Sequence, residues 1–178
     1  MDTILGILFV SILGTILHFM YDWSNHNKFV SIFAAVNEST WEHIKIALTP
    51  SFIWMLYDGA KYGLNPNYFV AKTTSLLVII ILIPLLFYLY QLFTKKTILA
   101  VDIIIFYVAI IVSNLLFNYI ICLNPVSFFI TYFAVIILFV IFGFFMVVTL
   151  MPIKSFMFKD PITNKYGVKG HSHHEHDK

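Results

Sequence analysis

Five residues of the first quarter of the chain, two histidines and three carboxylates, could converge on one site: His18, Asp22, Glu38, Glu42 and His43. Imidazole and carboxylate together are the donor set of zinc, iron or manganese sites, and the same groups can act as general acids and bases. On the first apolar segment, Ser11, Thr15, His18 and Asp22 recur at spacings of four, three and four, which puts them on one stripe of a helix. That stripe ends where Asn37-Glu38-Ser39-Thr40-Trp41-Glu42-His43 opens a second helix. At about 100° per residue, Glu38, Glu42 and Lys45 share a face, whereas His43 stands about 140° from Glu38. One ion can therefore meet both Glu38 and His43 only if Glu38 precedes the helix. A second reading stays open, in which Glu38, Glu42 and Lys45 form a surface ion-pair ladder and His18 bonds Asp22 one turn away.

Other polar residues are set in apolar surroundings. Asn114 and Asn118, with Ser113 beside them, read as interhelical glue within a membrane, and Lys72 as a side chain that snorkels to the interface. The terminal string His171-Ser172-His173-His174-Glu175-His176-Asp177 is a short histidine-rich tract, suited to weak divalent-metal binding at His171, His173, His174 and His176 or to no selected role. Several enzyme signatures do not occur: a phosphate-binding glycine loop, a Gly-x-Ser-x-Gly elbow, Cys-x-x-Cys and His-Glu-x-x-His.

The elements that must position these groups follow from composition. Of 178 residues, 60% are hydrophobic and only 11% charged, with a mean hydropathy of +0.89. Soluble domains carry about 25% charge, so the expected solvent is lipid. A net charge of +2 argues against nucleic acid, and all 11 basic residues are lysines, which lack the bidentate fork of arginine. The lone Cys122 excludes an internal disulfide. A span needs about 20 apolar residues, and five stretches qualify: Thr3 to Met20, Trp41 to Tyr57, Phe69 to Phe93, Ile98 to Cys122 and Val126 to Met151. The second is the least apolar, with His43, Lys45 and Pro50. The first has no preceding lysine, so it reads as a retained helix rather than a signal peptide. Ser39-Thr40-Trp41-Glu42 has the form of a capping box, with Asn37 as a competing cap.

The expected fold is all-α, a polytopic bundle of five transmembrane helices over residues 1–158 with a cytoplasmic tail over 159–178. Lys95 and Lys96, and Lys154, Lys159, Lys165 and Lys169 after the fifth helix, then share one side. The positive-inside rule makes that side cytoplasmic and the amino terminus external. Lys61 is the exception. The bilayer is the expected partner, with a homodimer or a protein partner also open.

Three strings stand out: Leu17-His18-Phe19-Met20-Tyr21-Asp22-Trp23-Ser24, Val36-Asn37-Glu38-Ser39-Thr40-Trp41-Glu42-His43-Ile44-Lys45 and Asp160-Pro161-Ile162-Thr163-Asn164-Lys165-Tyr166-Gly167. On these the chain, from roughly Gly6 to Val168, resembles a family of small multi-pass bacterial membrane proteins labelled only as a domain of unknown function. The resemblance implies a plasma-membrane location and assigns no catalytic residue. The residues leave three functional readings: a membrane protein with a polar site at the junction of its first two helices and no assigned activity, a metal-dependent membrane-embedded hydrolase, or a transporter of a small solute or cation. A divalent metal is the one cofactor the residues suggest.

Overall fold

A computed structural model describes residues 1–151 and 153–171. The histidines expected to bind metal at 173, 174 and 176 lie outside the described residues. The chain folds into five long helices, α1 (Asp2–Trp23), α2 (Thr40–Tyr62), α3 (Tyr68–Thr94), α4 (Leu99–Ile121) and α5 (Phe128–Leu150), with short 3-10 turns at Val30–Ile32, Phe156–Phe158 and Gly167–Gly170. Among the described residues there is no strand, only one isolated bridge between Lys159 and Tyr166.

Four helices, α1, α3, α4 and α5, are long and apolar enough to cross a membrane. Their outward faces carry bare hydrocarbon and aromatic rings, as at Phe128, Phe129, Phe133, Phe139 and Val140 of α5. Such a surface cannot be wetted cheaply, so it is compatible with a lipid environment. The helix α2 is different. It carries Glu42, Lys45, Asp58 and Lys61, and it is the most enclosed of the five, with every residue from Ile44 to Ser51 buried. The other helices gather around it, with Phe52 edge-on to Phe142 and Phe145 of α5 and Trp41 stacked at 5.2 Å on Phe158 beyond α5.

Buried charge is tolerated here only because it is paired. Glu42 and Lys45 meet at 2.5 Å. They are 5% and 2% exposed, so the expected surface ladder is instead an interior ion pair that turns away from Glu38. Lys72 does not snorkel either; it is buried against Asp58 and lies 5.0 Å from the Phe117 ring. A polar side chain that finds an anion inside the bundle has no reason to reach for the interface.

The start of α2 also departs from the expected capping box. Ser39 is extended at the N-cap position but makes no side-chain cap bond. Its amide is taken by Asn37 Oδ1 at 2.9 Å. The Glu42 carboxylate reaches past it to the Val36 amide at 3.0 Å, drawn inward by Lys45. At the opposite end of the bundle, Asn67 donates to the carbonyls of Ile120, Leu123 and Asn124 and accepts from the Val126 amide, joining the turn before α3 to the turn before α5.

Candidate functional site

The C-terminal end of α1 and the N-terminal ends of α2 and α4 enclose a cavity of ≈ 510 Å³, within the range of small-molecule sites. Glu38 sits before α2 begins, the one placement that frees it from the helical phase separating it from His43. Its carboxylate consequently lies between two imidazoles, with Oε1 3.6 Å from His18 Nε2 and Oε2 3.7 Å from His43 Nε2. The two rings are 5.9 Å apart, centroid to centroid. His43 Nδ1 is 3.0 Å from the Ser39 carbonyl. A carbonyl only accepts, so Nδ1 carries a hydrogen, and Nε2 is the ring nitrogen that faces Glu38.

Two further carboxylates join them, one from α4 and one from α1. Asp102, on α4, lines the same cavity and is held by the Tyr90 hydroxyl at 2.6 Å. Asp22, one turn beyond His18, bonds His171 Nε2 at 2.9 Å and lies 3.4 Å from His26 Nε2, so it does not make the expected bond to His18. The lining therefore holds three carboxylates (Asp22, Glu38, Asp102) and three imidazoles (His18, His43, His171), without a lysine among the described residues. Apolar and aromatic walls complete it, with Phe19 from α1, Phe87 from α3, and Phe106 and Tyr107 from α4. The combination favours a cation: negative charge supplies the attraction, and ring faces add cation–π contact.

The remaining candidates divide. Thr15 is part of the cavity, its hydroxyl 2.9 Å from the Tyr107 hydroxyl and its neighbour Ser11 accepting it through the backbone. Glu42 belongs to the interior ion pair and does not reach the site. Asn114 donates to the Ile110 carbonyl of its own helix at 2.9 Å, and its amide oxygen packs where a Cβ on Gly6 would come within 2.6 Å. Asn118 is exposed. Neither asparagine is near the cavity.

The segment after α5 folds back over the mouth. Asp160 accepts the Glu38 amide at 3.1 Å, Asn37 donates to the Gly167 carbonyl at 2.9 Å, and Pro161 and Ile162 complete the lining. The three strings singled out in the sequence thus meet in one place. Asp102, His26 and Asp160 were not among the sequence candidates. Asp102 had a readable signal, since it is the only charged residue between Ile98 and Cys122 and ionisable groups in apolar segments usually serve a purpose. Asp160 stood out only as the first residue of the third string, and His26 had no signal, because its partners are brought to it by the loop turn and by the return of the C-terminal segment.

The fold and cavity define an all-helical protein with four helices fit to cross a membrane and a polar pocket at one end of the bundle. The chain belongs to a family of unknown function (DUF6512), whose model matches residues 2–168. No curated protein and no solved structure matches it significantly.

Proposed function

We propose that this chain is a five-span protein of the bacterial plasma membrane whose cytoplasmic cavity binds a small cationic solute. The fifth span is α2. Its 23 residues can cross about 30 Å of hydrocarbon, its charges at Glu42, Lys45 and Asp58 are paired, and Lys61 pairs with Asp2 at the far end. Lysine asymmetry puts the cavity and the segment from 159 onward in the cytoplasm and the amino terminus outside.

The observation that carries the reading is the Glu38 carboxylate bracketed by His18 and His43, with Asp102 in the same cavity and no lysine in its lining among the described residues. The test is thermal unfolding of purified protein in detergent with a panel of primary and quaternary amines. A ligand at 100 times its Kd stabilises by about 2.7 kcal/mol, and Asp102→Asn and Glu38→Gln should each remove most of that shift. If no amine stabilises the protein, or if both variants respond as the parent does, the cavity does not serve organic cations.

A metal-dependent hydrolase is the second reading, favoured by the same bracket. Donor atoms of a tetrahedral ion with about 2.0–2.1 Å bonds stand about 3.3 Å apart; each imidazole is within a few tenths of an ångström of that from its own Glu38 oxygen, and an ion shared by both rings would require them to turn toward one oxygen. Metal bound stoichiometrically and lost in His43→Ala would favour this reading over the amine site.

A further inference from the structure

We infer that Asp22, His26 and His171 form a site for a divalent transition metal, separate from the Glu38 bracket, that fastens the C-terminal segment across the mouth of the cavity. One ligand atom from each of the three lies within 4.8 Å of the others. The separations already approach those of a bound ion: Asp22 Oδ1 is 3.4 Å from His26 Nε2 and 2.9 Å from His171 Nε2. For donors about 3.3 Å apart, as tetrahedral zinc requires, the first pair needs almost no movement and the second a small opening.

The surroundings orient the donors. His171 Nδ1 is 3.0 Å from the Val36 carbonyl, which fixes a hydrogen there and leaves Nε2, the nitrogen that faces Asp22, as the ring's metal-binding atom once an ion takes the place of its proton, the arrangement by which second-sphere carbonyls prepare metal-binding imidazoles. His26 is turned back onto the end of α1 by two successive left-handed residues, Asn25 at φ 54° and His26 at φ 61°. Its amide bonds the Tyr21 carbonyl at 3.1 Å. The Tyr21 ring stands 5.2 Å from both imidazoles and walls one side of the cluster. The C-terminus of α1, the negative end of its dipole, adds a favourable potential for a cation. Two nitrogens and one oxygen suit zinc, cobalt, nickel or copper and disfavour magnesium and calcium, which take oxygen ligands.

The consequence lies in the positions of the three ligands. Asp22 ends α1, His26 belongs to the α1–α2 connection, and His171 ends the segment that carries Pro161 and Ile162 over the cavity. An ion held by all three would join these pieces, and access to the cavity would depend on metal occupancy.

The experiment is Co²⁺ and Zn²⁺ titration of the full-length protein in detergent, followed by cobalt absorption and calorimetry. The reference protein carries His173→Ser, His174→Ser and His176→Ser, which removes the adjacent histidine tract. One ion per chain should remain, and His26→Ala and Asp22→Asn should each weaken it by about tenfold or more. His26 lies outside the cavity lining and His43→Ala should leave this ion in place, so a failure here is distinguishable from a failure of the cation cavity. Matching melting curves of His26→Ala and reference without metal would establish that the variant folds; if they differ, Asp22→Asn decides. Loss of all metal in the reference protein itself, or affinity unchanged by the deciding variant, would overturn the inference.

Discussion

Lys45→Met tests whether the interior ion pair shapes the site from behind. The Lys45 ammonium donates to Glu42 at 2.5 Å and to the Ser31 carbonyl at 2.9 Å, while Glu42 also accepts the Val36 amide at 3.0 Å. The pair therefore ties both ends of the 31–36 segment to α2, and Glu38 follows two residues later. Methionine fills nearly the same volume but leaves the Glu42 carboxylate buried with a single donor. Breaking a buried pair in this way costs about 3–5 kcal/mol. The orphaned Ser31 carbonyl contributes within that figure, since the 31–36 segment can loosen toward water. At about 2–4 °C per kcal/mol for a chain of this size, the melting midpoint in detergent should fall by roughly 6–20 °C. The double variant Glu42→Gln/Lys45→Met removes both charges and keeps an acceptor for Val36, so it should recover most of the loss. A single variant that melts within 2 °C of the parent, or a double variant worse than Lys45→Met alone, would refute the account.

Two further outcomes are expected. Asn67→Ala leaves three carbonyls and one amide without their shared partner; at about 1–3 kcal/mol for each group left both buried and unpaired, with partial rescue by water, it should lower stability by about 2–4 kcal/mol in the same melting assay. In a Cys122→Ser background, Asn27→Cys and Leu64→Cys report the two ends of α2, since both positions are exposed; a membrane-impermeant maleimide should label Leu64→Cys in intact cells and Asn27→Cys only after permeabilisation. Labelling of both from one side would remove α2 from the set of spans.

Hydropathy alone pointed to a helical chain with segments long and apolar enough to cross a membrane, because a run such as Phe128–Leu150 would have no other way to satisfy its backbone amides in hydrocarbon. It also located the helices to within a few residues, and the clustering of His18, Glu38 and His43 near the first helical junction drew attention to the end of the bundle that holds the cavity. Side-chain partnership was beyond it. Glu42 and Lys45 have the spacing of a surface pair, and only the closing of α1 and α3 around α2 makes them interior. Glu38 lies on the wrong helical phase for His43, a conflict removed only because the helix begins two residues later, at Thr40. Asp102, His26 and Asp160 reach the site from a distant helix, a left-handed turn and a returning segment. Periodicity records which face of a helix is apolar, whereas the partner across the interface is set by how the helices pack, and that information is not local to any stretch of the chain.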